Sequence, residues 1–391
     1  MSKKASNACP SFISNTFFTY STVKMVEVPN SAIALLNRVI QLVICGYIAL
    51  YIVWYQRGYQ EFQEPRGTSV AKIKGVSSVS VKIPSSPSAN HSRVVWDTTE
   101  YGLPPLENNA FFIATHQIVT YDQSDSRCPS ALKSKLFCAN KTSICKEGKP
   151  TPSTSGFFTG KCVASFENSS ISVCEISGWC PEEMSASTDL QISLHDLSNF
   201  TIFIKTSVTF QRFDINLRNI GDNTNFSCRY HPIGDQRCPI IRVGDILEGL
   251  HTDIPALIKE GGVIEIEQLW ECNFDYDKRL CYPRYLFHLL QSGDDKQSPG
   301  INYRTAYKYR FDNTTYRLLS KVHGLRFVIS ISGRGGRFHA LQLFLAIGSG
   351  IGYMVIAGLV CDFIMVHVHK SRNTFRAGKV SLVRPTETTS S

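Results

Sequence analysis

The sequence predicts a membrane protein in which two transmembrane α-helices flank a large, disulfide-rich, mostly β extracellular domain. Three observations carry this reading. Two long apolar segments, at residues 33–55 and 340–368, are each long enough as a helix to cross a hydrocarbon core of ~30 Å. Ten of the 13 cysteines lie between them, as do all six Asn-x-Ser/Thr sequons, at Asn90, Asn140, Asn168, Asn199, Asn225 and Asn313. Dense cysteines and sequons both mark an oxidising, extracellular compartment. The stretch between the segments alternates apolar and polar residues and is rich in β-branched and aromatic types, as strands are.

Each element follows in order. Residues 1–32 form an N-terminal tail. The first apolar segment reads as a spanning helix rather than a signal peptide, because over thirty residues precede it and no small-residue cleavage site follows. Residues 56–339 form the ectodomain. The second apolar segment is too long and too poor in charge for a buried core helix, and residues 369–391 close the chain as a short tail. Basic residues flank both sides, with Arg57, Arg334 and Arg337 outside and Lys370, Arg372, Arg376 and Lys379 inside. The sequons and cysteines therefore decide the orientation, with both termini cytoplasmic. The net charge of +9 suits nucleic acid, a membrane surface or an anionic ligand, and decides nothing alone.

Within the ectodomain, "FTIFIKTSVTFQRF", "GGVIEIEQLWECNF" and "LRFVISISG" read as strands. "DIPALIKEGG" reads as a short helix framed by Pro255 and Gly261-Gly262. "IPSSPSANHS" and "KPTPSTSG" read as exposed loops. Six cysteines cluster at residues 128–180, and their spacing leaves fifteen pairings open. Cys228 with Cys238, and Cys272 with Cys281, look like local staples. Zinc is disfavoured, because no C-x-x-C occurs and extracellular thiols oxidise.

The second apolar segment carries Gly348, Gly350, Gly352 and Gly358 and a carboxylate, Asp362. Gly348 and Gly352 form a small-xxx-small pair that lets helices approach closely. Asp362 suits either an acidic ring in an oligomeric cation pore or a helix interface in a dimerising anchor. Lys72 and Lys74 in "SVAKIKGVSS" project from one face of a strand. With Arg304 and Lys321 they suit a triphosphate, though on the residues alone a solvated strand face is the favoured reading of the two lysines. No Walker-type loop is present, since "GRGGRF" lacks the GK[ST] ending.

These fragments, taken together, resemble the ATP-gated trimeric cation channels, the purinergic ionotropic receptors. The resemblance runs from about Thr22 to Asp362 through "AKIKG", "EISGWCPEE", "NFTIFIKTSVTF", "CPIIRVGDI", "GGVIEI", "NYR", "GLRFVI" and "IGSG…CD", with the ten ectodomain cysteines. It implies a homotrimer, with heterotrimers left open, in the plasma membrane. It implies a non-selective channel for Na⁺, K⁺ and Ca²⁺ opened by extracellular ATP, with no catalysis, no resident cofactor and no nucleic acid partner. ATP enters as an agonist, alone or with Mg²⁺. Carried onto this chain, Lys72 and Lys74 would grip the phosphates, Thr201 would bond the adenine, and Phe203 would touch base or sugar. Asn302, Arg304 and Lys321 would reach the phosphates from the neighbouring subunit. The implied disulfides are Cys128–Cys180, Cys138–Cys162, Cys145–Cys174, Cys228–Cys238 and Cys272–Cys281, and the implied gate is Leu345, Ala346 and Ser349.

Some residues depart from the family's pattern. The usual Asn-Phe-Arg is Asn302-Tyr303-Arg304 here, a commonly polar gate position is Ala346, and the inner-tail Tyr-x-x-x-Lys is Phe375…Lys379. Thr22-Val23-Lys24 keeps the N-tail phosphorylation pattern. Rival readings are a two-helix channel with a non-nucleotide agonist and an ecto-nucleotidase. The latter would need a metal-binding carboxylate set.

Overall fold

A computed structural model describes residues 31–81, 92–102, 107–138, 144–152, 155–183, 187–221, 227–293, 300–370 and 372–379. In chain order the elements are α1 (Ser31–Gly46), which continues as a π-helix to Tyr55, β1 (Gln60–Gln63), β2 (Arg66–Lys74), β3 (Ser77–Val81), β4 (Ser92–Trp96), α2 (Thr98–Tyr101) and β5 (Ala110–Pro129). There follow β6 (Gly156–Ala164), β7 (Ser172–Cys180), β8 (Ser187–Gln191), α3 (Leu194–Asn199), β9 (Thr201–Phe210), β10 (Ile215–Arg218), β11 (Ile240–Arg242), α4 (Val243–Gly249) and α5 (Ile254–Glu260). The last are β12 (Gly262–Asn273), β13 (Arg284–Ser292), β14 (Asn302–Phe311), β15 (Thr314–Phe338), α6 (Ala340–Phe363), which continues as a π-helix to Val368, and α7 (Arg372–Lys379). They divide into two compact units, one spanning residues 62–337 and the other comprising the flanking ends.

In the flanking unit, the apolar spans Ser31–Tyr55 and Ala340–Val368 cover 25 and 29 residues. At 1.5 Å per residue the shorter is about 37 Å long, enough to cross a bilayer. The first span begins two residues before the apolar run read from sequence, at Ser31. Leu35, Leu42 and Val43 of α1 and Phe344, Leu345 and Ile351 of α6 are exposed, which a soluble core helix would not allow. A narrow stripe of α6 is buried, at Ala346, Gly350, Ala357 and Cys361. The first helix packs on this stripe. A Cβ on Gly350 would lie 2.7 Å from Ile48 Cδ1, and Cys361 Sγ lies 3.7 Å from Asn37 Oδ1. Glycine at 350 thus sets how closely the helices meet.

The larger unit is built on a nine-stranded sheet with the order β13-β12-β15-β5-β7-β6, to which β1 and β14 add on β15 and β8 on β5. A smaller sheet runs β10-β9-β11, with β2 also on β9, and β3 pairs β4. Alternation explains the core. In β9, Ile202, Ile204, Thr206, Val208 and Phe210 point inward and are buried, while the alternate residues face out. In β12, Ile264, Ile266 and Trp270 do the same. These side chains meet Phe111, Ile113, Leu325 and Phe327 of β5 and β15, or pack beneath them in a second cluster around Trp270 and Phe274.

The helix read from "DIPALIKEGG" is α5. The Asp253 carboxylate accepts from the Ala256 amide at its start, and Gly261 stops it at φ 88°, a conformation glycine adopts freely. The structure joins Cys128 to Cys180, Cys138 to Cys162, Cys145 to Cys174, Cys228 to Cys238 and Cys272 to Cys281, the order the resemblance implies. The first three bridges supply most of a small separate core, to which Phe158, Ile176 and the partly buried Leu136 add among the described residues. So few apolar side chains would not hold that region without covalent links. Among the sequons, Asn168, Asn199 and Asn313 are exposed, while Asn90, Asn140 and Asn225 lie outside the described residues. Thr22-Val23-Lys24 also lies outside them.

Candidate nucleotide-phosphate site

Four of the seven predicted ligand residues share one face of the small sheet. Strand β2 runs antiparallel to β9 with Lys72 opposite Phe203 and Lys74 opposite Thr201. Directly opposed residues project to the same side. The side is fixed by Ala71 and Ile73, which pack on the core and force Lys72 and Lys74 outward. The two ammonium groups start about 7 Å apart along the strand, and among the described residues no carboxylate pairs with either. Thr201 Oγ1 donates to the Lys74 carbonyl at 3.4 Å, which ties the two strands at the site. Deeper in the sheet, Ser69 Oγ lies 2.8 Å from Thr206 Oγ1, and Asn109 accepts from the Ser69 amide at 2.9 Å.

The other three lie on the large sheet. Strand β14 pairs β15 with Arg304 opposite Lys321 and Asn302 opposite His323. Asn302 and Arg304, two apart, share a face with Lys321. Tyr303 points the other way, edge-on to Phe112 at 5.0 Å. Burial pushes its phenol up to about 12, so it stays neutral at physiological pH. The departure from Asn-Phe-Arg therefore falls on the packed side of the strand.

Each group has a neighbour that sequence reading missed. Lys205 lies opposite Val70 and adds a third cation to the β2–β9 face. Arg304 Nε donates to Glu183 Oε2 at 2.7 Å, and Glu183 is nearly enclosed, with a side chain 8% exposed. Its other oxygen, Oε1, is buried and accepts no hydrogen bond among the described residues. Arg317 lies 4.4 Å and Lys308 5.6 Å from the Trp179 ring centroid, on the same hairpin as Arg304. Sequence shows Glu183 only as one acid in "EISGWCPEE", and nothing local tells which arginine it meets.

The arrangement offers two cationic surfaces on separate sheets, each open on one side. Phosphate oxygens accept several hydrogen bonds each, so either surface alone would leave a triphosphate part-solvated. The sequence profile of the ATP P2X receptor family matches residues 18–382. This chain belongs to that family. It is 32% identical to P2X purinoceptor 4 of Mus musculus, over 97% of each chain, and 31% identical to P2X purinoceptor 5 of Homo sapiens, over 96% of this chain and 84% of the relative. Among solved structures, it resembles a Gulf Coast tick P2X receptor in the presence of ATP and Zn²⁺, with TM-score 0.73, 36% identity, and 84% and 99% of the two chains covered. It also resembles the chicken ATP-gated P2X7 receptor channel in the presence of the competitive antagonist TNP-ATP, with TM-score 0.70, 30% identity, and 87% and 100% covered. Members of the P2X family are ligand-gated channels, not enzymes.

The gate residues of the P2X resemblance do not share one surface of the helix. Leu345 and Ser349 are exposed, and Ser349 Oγ donates to the Ala346 carbonyl at 2.8 Å. Ala346 lies in the buried stripe that continues through Gly350 and Cys361. Asp362, next to Cys361, is half-buried.

Proposed function

We infer that this chain is an extracellular ATP-gated cation channel of the plasma membrane, working as a homotrimer with both termini in the cytoplasm. The observation that carries the reading is the division of the cations. Lys72 and Lys74 lie on one sheet and Arg304 and Lys321 on another, each opening outward. A ligand bridging two subunits would use the first face of one and the second face of its neighbour. Thr201 and Phe203 supply a hydroxyl and an aromatic ring beside the lysines for the base and sugar. The phosphates are held and not cleaved, and ATP enters alone or with Mg²⁺.

Gating follows from chain continuity. Only His339 separates β15, which carries Lys321, from α6. ATP favours the arrangement of faces that it bridges, and shifts the equilibrium by its differential affinity for the two states. A displaced β15 pulls on three copies of α6, and Na⁺, K⁺ and Ca²⁺ pass between them. Leu345 and Ser349, off the buried stripe, face this path.

Rapid ATP application to cells expressing this chain alone is expected to evoke an inward cation current. A thiol reagent is expected to block Ser349→Cys channels only while ATP is present. Block without ATP would place Ser349 outside the gate. Absence of current from surface protein, with ADP released instead, would favour the ecto-nucleotidase. Current evoked by another agonist but not by ATP would favour the non-nucleotide channel.

Glu183 makes a smaller prediction. It neutralises Arg304 in the empty site, and ATP must exchange phosphate for that carboxylate. Arg304 is half-exposed, so the pair is worth about 0.2–1 kcal/mol. Glu183→Gln keeps the shape and removes the charge, and is expected to lower the half-maximal ATP concentration by a factor of about 1.4 to 5. Unchanged or weakened potency in concentration–response curves would show that the carboxylate positions Arg304 rather than competing for it.

A further inference from the structure

Two buried histidines lie on the same sheet face as the phosphate cations, and the site as described gives them no role. His323 follows Lys321 by two residues on β15 and lies opposite both Asn302 on β14 and His116 on β5. The imidazole rings of His116 and His323 are stacked with centroids 5.3 Å apart. Both residues are over nine-tenths buried.

Their partners are acceptors. The last carbonyls of α5 point at this cluster, where a helix leaves its carbonyls unsatisfied and partly negative. Thr115 Oγ1 donates to the Ile258 carbonyl at 2.5 Å, His116 Nδ1 lies 3.1 Å from the Lys259 carbonyl, and His323 Nδ1 lies 3.4 Å from the Glu260 carbonyl. The other ring nitrogen of His116, Nε2, meets the Asp189 carboxylate of β8. The Glu260 carbonyl also accepts from the Ile301 amide at 2.9 Å, which links the pair to the turn that delivers Asn302.

The charged groups around the pair are Lys321 on β15, Arg304 on β14, Asp189 on β8, and Lys259 and Glu260 at the end of α5. Burial holds the His323 imidazole below its ordinary value. The Glu260 carbonyl opposes this, while Lys321 and His116 push it lower.

We propose that His116 and His323 form a proton-binding pair behind the phosphate cations, and that ATP binding at Asn302, Arg304 and Lys321 takes up a proton there. The inference rests on the ATP reading above. Lys321 is one of the groups that, after burial, disfavour a proton on His323, and a triphosphate at Lys321 offsets it, so the bound state holds the proton more tightly than the empty one. Affinity then rises as pH falls through the bound-state titration of His323, and flattens once the empty site is also protonated. Acid therefore strengthens ATP binding at this site.

The test is calorimetric titration of ATP into the purified full-length channel, in two buffers of different ionisation heat, which counts the protons taken up. It is paired with ATP concentration–response curves at about pH 7.5 and pH 6.0 for the wild type, His323→Gln and His116→Gln. Protonation of ATP itself contributes equally to all three, so the readout is the difference between them. The wild type is expected to take up more protons than His323→Gln, and to gain about three- to tenfold more potency on acidification. Equal proton counts and equal pH slopes in the wild type and His323→Gln would overturn the pair as the proton site. If His116→Gln fails to reach the surface, that comparison still decides. Absence of ATP heat and current at both pH values in the wild type would instead overturn the ATP reading itself.

Discussion

Lys74→Ala and Arg304→Ala are each expected to raise the ATP concentration for half-maximal current by about 30-fold to several thousand-fold. Truncating one partner of a charge pair that is buried in the complex costs roughly 2–5 kcal/mol, and each 1.4 kcal/mol is about a decade in affinity. The two variants test different halves of the site, since Lys74 lies on the β2–β9 face and Arg304 on the β14–β15 face. Neither side chain contributes to the cores: Lys74 and Arg304 are exposed, so surface labelling should be unchanged. Wild-type potency in both would remove the phosphate assignment. Co-expression sharpens the test. In mixed trimers, an interface formed by the β2 half of an Arg304→Ala chain and the β14 half of a Lys74→Ala chain has every cation intact. Partial recovery of sensitivity on co-expression is therefore expected if ATP bridges subunits. A site contained within one chain would give no recovery.

Legibility from sequence followed the range of the interactions. The spanning helices need only length and apolarity, so 33–55 and 340–368 could be read directly, with the first helix extending back to Ser31. The faces of β2 and β9 follow from a two-residue period, which puts Lys72 and Lys74 together whatever they meet. What lay beyond sequence is tertiary. Glu183 is 121 residues from Arg304, and nothing in "GWCPEE" says which of its two acids turns inward to the arginine. His116 and His323 become neighbours only through the register of β5 on β15, which a bulge beside His323 shifts. Ala346 reads as one gate residue among three, yet helix packing turns it toward α1, because close approach needs small side chains at 346 and 350. Motif resemblance supplied the pairing of the six clustered cysteines, which spacing alone left open.

The glycine that ends "AKIKG" shows how the fold reaches the site, and Gly75→Val is expected to silence the ATP response as effectively as removing a lysine. A Cβ at Gly75 would lie 2.2 Å from the Phe200 ring, well inside contact distance. Phe200 has little freedom to yield. Its ring lies 4.6 Å from that of Tyr101, and its backbone carbonyl accepts from the Val243 amide at 2.9 Å. The Tyr101 hydroxyl in turn donates to the Gly75 carbonyl at 3.1 Å, so glycine, phenylalanine and tyrosine form one closed contact. Gly75 follows Lys74 and Phe200 precedes Thr201, and Lys74 and Thr201 are paired across the strands. Any separation of Gly75 from Phe200 therefore pries apart the two ligand residues beside them. Overpacking costs about 1–3 kcal/mol, or about 5- to 150-fold if it appears as lost affinity. Gly75→Ala is expected at the low end and Gly75→Val at or beyond the high end. The discriminating measurement is the double variant with Phe200→Leu, which shortens the obstructing side chain. Residues in contact couple by about 0.5–3 kcal/mol, so Phe200→Leu, harmful alone, should restore part of the ATP sensitivity of Gly75→Ala. Additive losses would mean that Gly75 acts through backbone conformation and not through the ring it accommodates.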